Sequence, residues 1–154
     1  TRRPSRSRLL PTPALCRDVE GGPRALGSRS SIADPRKPEM KEKLNEKIKF
    51  REAFRPFAPS VLGERADEFF EFPEAERHFP ARFMLYVCPV REEKRSVLPA
   101  ITHEDGSGRL QTVYQATNPA YHRVIERFGE LTGVPVIMNT SFNLKCEQIG
   151  RSHV

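Results

Sequence analysis

The residues best placed to do chemistry are cations held between backbone-constraining neighbours. Arg24 follows Gly21-Gly22-Pro23 and precedes Gly27, with Arg29 and the hydroxyls of Ser28, Ser30 and Ser31 close behind. Lys49, Arg51 and Arg55 alternate with Phe50, Phe54, Pro56 and Phe57. A guanidinium drawn in among apolar rings needs an anionic partner, and its planar fork suits phosphate oxygens. The glycine turn is not a phosphate loop of the Lys-Ser/Thr kind, because no such pair follows at the required spacing. A second constellation is Asn139-Thr140-Ser141-Phe142-Asn143, directly after the apolar run 134–138. Short polar side chains at the C-terminal end of a buried strand are where α/β proteins place ligand groups. Arg109, beside a turn, reads by default as solvent-facing, and the phenylalanines are explained by core packing alone.

No nucleophile stands with a base, no paired carboxylates occur, and no metal-ligand cluster is expected. His78, His103, His122 and His153 are scattered, and each reads as surface or structural. Cations and hydroxyls alone describe a phosphate binder whose chemistry comes from its substrates.

The totals agree. The chain has 154 residues, a formal net charge of +6, 37% hydrophobic and 30% charged residues, 14 prolines and 9 glycines. That length suits one domain with a real core, and the positive balance favours nucleotides, small phosphates or RNA. Cys16, Cys88 and Cys146 are few, odd in number and widely spaced, against a disulfide scaffold or zinc site and for a reducing cytoplasm. No apolar run approaches membrane-spanning length and no signal-peptide core follows the N-terminus. Residues 1–18 are rich in Arg, Ser and Pro without period and read as a disordered or unrelated tail.

The elements that must position these residues follow from local pattern. Pro35 and Pro38 open a helix whose Met40, Leu44 and Ile48 form one narrow apolar stripe. Residues 58–62 begin an extended segment, 66–72 read as a short acidic helix or turn, and 83–88 as a buried strand. Runs 99–103 and 110–114 around Asp105-Gly106 predict a hairpin, with Arg109, Gln111 and Val113 on one face. Asn118-Pro119 caps the clearest helix, with Tyr121, Val124, Ile125, Phe128 and Leu131 as its apolar face and Gly133 as its stop. The strand 134–138 follows, giving an α/β layer.

Five segments in order now carry a resemblance: GPRALGSRS (22–30), ADPR (33–36), KFREAFRPFAPSVL (49–62), DGSGRLQTV (105–113) and NPAYHRVIERFGELTGVPVIMNTSFN (118–143). Together they resemble the C-terminal domain of the O-carbamoyltransferases, the family of nodulation-factor and antibiotic-tailoring enzymes, over residues 19–149. The resemblance implies a YrdC-like α/β fold, a twisted mixed sheet with flanking helices and a positively charged cavity, here incomplete at both ends. It implies binding of carbamoyl phosphate and ATP (with Mg2+ as the companion of ATP) and formation of a carbamoyl-adenylate. A separate N-terminal Kae1-like domain, which holds the family's iron and is absent here, then passes the carbamoyl group to an acceptor hydroxyl.

By motif position, Lys49 and Arg55 are the expected catalytic cations. Arg24, Arg109, Asn139, Ser141 and Asn143 are the expected substrate-binding residues, Asn139 the weaker of them, and no metal ligand is expected. Fixed cations would offset the mutual repulsion of two phosphorylated substrates. Ser28 stands where the family commonly has Asn, and Cys146 and Gln148 replace an expected Gly and Pro. Residues 150–154 read as a truncated tail. Two further readings stand beside the leading one: an RNA-binding YrdC-like module, and an inactive remnant.

Overall fold

The computed structural model describes residues 25–28, 30–46 and 57–141. Within these, five strands form one mixed sheet: β1 (Ser30–Ala33), β2 (Ala58–Leu62), β3 (Tyr86–Pro89), β4 (Ser107–Val113) and β5 (Val136–Ser141). Their order across the sheet is β1-β5-β2-β4-β3. β2 and β4 run parallel, and the other neighbouring pairs are antiparallel. The helices are α1 (Glu39–Leu44), α2 (Glu92–Arg95) and α3 (Pro119–Thr132), with 3₁₀ turns at Gly63–Glu68, Ala75–Arg77 and Phe79–Phe83. The expected α/β architecture, a mixed sheet with flanking helices, is what the chain adopts.

The central strands are apolar on both faces because both are covered. On one face Val61, Leu110, Val136 and Met138 pack with Met40 and Leu44 of α1 and with Phe57, Phe69, Phe70, Leu98 and Ile101. On the other, Leu62, Val113 and Ile137 meet Tyr121 and Ile125 of α3, with Ile32, Val124 and Phe128 around them. α3 starts and stops as its sequence dictates. The Asn118 side chain accepts from the Tyr121 N–H at 3.1 Å, and Gly133 ends the helix at φ 76°. The expected stripe is right at Tyr121 and Ile125 but fails at Leu131, which is 71% exposed. The buried face turns instead through His122 and Gly129, where an added Cβ would lie 2.8 Å from Pro135.

Two local expectations are corrected. The run 83–88 is not a buried strand: β3 is the sheet edge, and Phe83, Leu85 and Val87 stay exposed. The apolar composition there marks an uncovered edge rather than a core. The expected hairpin is also absent. Residues 99–101 form turns, with Ile101 N–H donating to the Leu98 carbonyl, while β4 pairs with β3. Leu98, Ala100 and Ile101 are all buried, a pattern without the alternation a strand requires. The charged stretch after Val90 contains the single turn α2.

The ADPR segment proves to be a structural clamp between β1 and α1. Asp34 Oδ1 accepts from the Arg36 N–H at 3.0 Å and from its Nε at 2.9 Å, and Oδ2 accepts from Nη2 at 2.7 Å. The guanidinium lies 5.6 Å from the centre of the Phe128 ring, tying the turn to α3. Burial works to raise the Asp34 pKa, but the hydrogen bonds and charge of Arg36, with Lys37, outweigh it and hold the carboxyl below its ordinary value. A depressed folded-state pKa contributes stability that is present above the unfolded value and lost as pH falls through the folded one. Acidification below about pH 4 is therefore expected to lower the thermal midpoint more in the wild type than in Asp34→Asn. Parallel acid profiles in a melting series would remove Asp34 from the account.

Candidate functional site

The face of the sheet that carries α3 is divided in two. Toward one end it is apolar and covered by the helix. Toward the other it becomes polar, because Asn139 (β5), Ser60 (β2) and Gln111 and Arg109 (β4) point to the same side. The register makes this so. Asn139 stands opposite Ala58, Ser60 opposite both Ile137 and Gln111, and Arg109 opposite Val87.

Three of these side chains form a buried hydrogen-bonded group. The Ser60 hydroxyl donates to Gln111 Oε1 at 2.7 Å. Asn139 Nδ2 donates to Gln111 Oε1 at 2.9 Å and lies 3.2 Å from Ser60 Oγ. The same Nδ2 reaches the Ala25 carbonyl at 3.2 Å, and Gln111 Nε2 donates to the Leu26 carbonyl at 3.0 Å. Ser60, Gln111 and Asn139 are all buried, so these bonds satisfy groups that water does not reach. Their outcome is mechanical: two carboxamides grip the segment 25–28 and hold it across the sheet.

Gly27 completes the grip. Its φ of +120° is a conformation that side-chain-bearing residues rarely adopt, and a Cβ there would lie 2.5 Å from the Tyr121 ring. The Gly27 N–H donates to Ser30 Oγ at 3.1 Å, closing the segment onto the start of β1. Ser28 lies half-buried beside it.

Of the expected site residues, Arg109, Asn139 and Ser141 fall within the described structure and share one face of the sheet. Arg109 is exposed, Ser141 half-buried and Asn139 1% exposed. Arg24, Lys49, Arg55 and Asn143 lie outside the described residues. Burial, the largest influence, pushes the nearby His103 imidazole below its ordinary pKa; Asp105 opposes this, and the charges of Lys41 and Arg109 add to it. Its Nδ1 stands 3.3 Å from the Ser107 hydroxyl at the start of β4. His122 is committed elsewhere, with Nε2 2.6 Å from Glu64. Each of the two imidazoles thus has a side-chain partner within the fold.

Ser60 and Gln111 are the participants that sequence reasoning did not select. Gln111 carried a signal, since it shares a face with Arg109 in the same motif. Ser60 carried only that it is a small polar residue inside an apolar strand. Four of the five motifs meet here: the first through Ala25, Leu26 and Gly27, the third through Ser60, the fourth through Gln111 and Arg109, and the fifth through Tyr121 and Asn139.

Fold and site together define an α/β domain that assembles separate motifs on a polar patch at one end of its sheet. Residues 14–153 match the family described as Carbamoyltransferase C-terminus, and the chain belongs to that family. It is similar to nodulation protein NolNO of Sinorhizobium fredii (strain NBRC 101917 / NGR234), 55% identical over 130 residues, 84% of this chain and 19% of that protein. It is also similar to nodulation protein NolO of Bradyrhizobium diazoefficiens, 55% identical over 133 residues, 86% of this chain and 24% of that protein. Nodulation protein U of Rhizobium tropici is 42% identical over 134 residues, 87% of this chain and 22% of that protein. The chain thus spans about a fifth to a quarter of the length of these relatives.

Among the described residues, no helix is long and apolar enough to cross a membrane. Nor do three or more His, Cys, Asp or Glu side chains gather there as a metal site.

Proposed function

We propose that this domain binds carbamoyl phosphate and ATP and forms a carbamoyl-adenylate, as one part of a longer O-carbamoyltransferase. The observation that carries the reading is the convergence of four family motifs on one polar patch, with Arg109 on its exposed side and Ser141 at the strand end. Arg109 and Arg24 would hold phosphate oxygens, and Lys49 and Arg55 would neutralise charge as the adenylate forms. Asn139, Ser141 and Asn143 would hydrogen-bond the carbamoyl or adenylate group. By stoichiometry, carbamoyl phosphate and ATP give the mixed anhydride with one water consumed and pyrophosphate and phosphate released. Mg2+ would enter as the companion of the ATP phosphates. Transfer to an acceptor hydroxyl, with the iron-holding Kae1-like domain, would belong to the remainder of the longer protein, in the cytoplasm.

The test is an amide spectrum of the 15N-labelled chain, titrated with carbamoyl phosphate and then ATP. Saturable shifts at Arg109, Asn139 and Ser141 are expected, with affinity reduced about 10-fold or more in Arg109→Ala, the usual scale for a lost hydrogen bond to a charged group. A dispersed spectrum that ignores both ligands would overturn the reading. Steeply salt-dependent shifts on adding RNA would then support the module suggested by the +6 net charge.

A further inference from the structure

We infer that His103 is the general base of this domain: its Nε2 takes a proton from the water that splits carbamoyl phosphate, and Ser107 and Asp105 are positioning residues that hold the ring for that task. This rests on the carbamoyl-phosphate reading above and assigns its water-consuming step to a residue outside the group of Ser60, Gln111 and Asn139. The hydrogen bonds of the turn before β4 settle which ring nitrogen is free. The Ser107 hydroxyl and N–H donate to Asp105 Oδ1 at 2.7 and 2.9 Å and hold that carboxyl below its ordinary pKa, so it is ionised and only accepts. The hydroxyl has a single proton, and Asp105 takes it. Its oxygen, 3.3 Å from His103 Nδ1, is therefore the acceptor of that contact, and Nδ1 carries the ring proton. The neutral ring keeps its lone pair on Nε2, which has no partner among the described residues and is not closed off from solvent.

Position and charge suit the role. Ser107 and Arg109 are two residues apart on β4 and point to one side, so only about 7 Å of strand separates the residue the imidazole touches from the cation assigned to the phosphate. The His103 N–H donates to the Ser107 carbonyl at 2.8 Å and the Gly106 N–H to the His103 carbonyl at 3.0 Å, so the ring rides on a closed turn. Burial pulls the imidazole below its ordinary pKa; the charge of Asp105 opposes this, while Lys41 of α1 and Arg109 add to it. The ring is thus unprotonated at neutral pH, as a base must be. Carbamoyl phosphate has no free carboxylate with which to attack ATP, so water must first release one. Beside Arg109 that water meets the phosphoryl end. Its oxygen bonds to phosphorus, the bond from phosphorus to the carbamoyl oxygen breaks, and carbamate leaves with that electron pair. One water proton passes to His103 Nε2 and the other stays on the phosphate. The freed carbamate then attacks the α-phosphorus of ATP, and pyrophosphate leaves.

The experiment incubates the full chain with carbamoyl phosphate and ATP in 18O-labelled water, and follows phosphate release, the label it carries and carbamoyl-phosphate affinity. The wild type is expected to release labelled phosphate at a rate that falls on acidification, with a midpoint below the ordinary histidine value. His103→Gln should lose about 100-fold or more in rate, and the acid limb with it, while affinity stays unchanged. Imidazole added to His103→Ala should restore much of the rate, which a structural role would not allow. Ser107→Ala should cost about 10-fold in rate, the scale of one hydrogen bond. Should the His103 variants not fold, the wild-type label and pH limb and the Ser107→Ala rate decide. Unlabelled phosphate, or a His103→Gln chain as fast as the wild type, overturns the inference. A wild type that binds carbamoyl phosphate but releases no phosphate also overturns it, with the binding reading intact. If carbamoyl phosphate does not bind the wild type, the reading itself falls and the inference falls with it.

Discussion

Tyr121→Ala is expected to lower the unfolding free energy by about 3–5 kcal/mol, the usual cost of deleting a fully buried aromatic. For a chain of this length that corresponds to a fall in thermal midpoint on the order of 10 °C. Tyr121 is 0% exposed, and with Ile125 it fills the space between α3 and Leu62, Val113 and Ile137. It also forms the floor beneath Gly27, so its loss opens a cavity on both sides of the ring. The same variant should therefore weaken carbamoyl-phosphate binding even well below its melting temperature. Urea titration with a fluorescence or circular-dichroism readout gives the stability term, and a loss under 1 kcal/mol would show that the interior re-forms around the gap.

Gly27→Val carries the second large effect, and its balance is different. A β-branched residue is strained at φ +120°, and its Cβ would stand 2.5 and 2.7 Å from two atoms of a ring that is itself enclosed. Neither partner can yield cheaply, so the segment 25–28 must lift. Lifting it withdraws the Ala25 and Leu26 carbonyls, which takes one of three acceptors from the Asn139 amide and the Leu26 acceptor from the buried Gln111 amide. Backbone strain and the two lost hydrogen bonds suggest a loss of roughly 2–4 kcal/mol. Binding of carbamoyl phosphate should fall by more than the 10-fold expected for Arg109→Ala, because the whole glycine turn is displaced at once. Hydrogen exchange at the amides of residues 26–28 should accelerate in step. Unchanged exchange and affinity in Gly27→Val would detach the segment from the binding patch.

Much of the molecule was legible in local pattern. α3 was readable from its cap, its stop and most of its apolar face, since these are interactions within a few residues of each other. β2 and β5 were readable as extended, apolar segments, and the shared side of Arg109 and Gln111 followed from simple alternation along β4. The family was readable because five motifs stand in order, and the match over residues 14–153 bears that out. Where the local pattern misled, the missing information was always a neighbour. Residues 83–88 have a core composition, but strand order put them at an edge where nothing described covers one face. Asp105-Gly106 makes its turn, yet the partner of β4 comes from residues 86–89 rather than from the run just before it.

By itself, then, the sequence determined which residue types are available for phosphate chemistry, the α/β class, the extents of the best-capped elements and the family. Tertiary structure alone decided that Ser60, Gln111 and Asn139 would touch, because they come from three strands up to 79 positions apart. It alone showed that ADPR is a clamp, and that Gly27 is required by a ring 94 residues away in the chain. The physical reason is one of range. Caps, turns and alternation are settled by bonds between near neighbours, whereas a buried polar group is defined by whatever the folded chain brings to meet it.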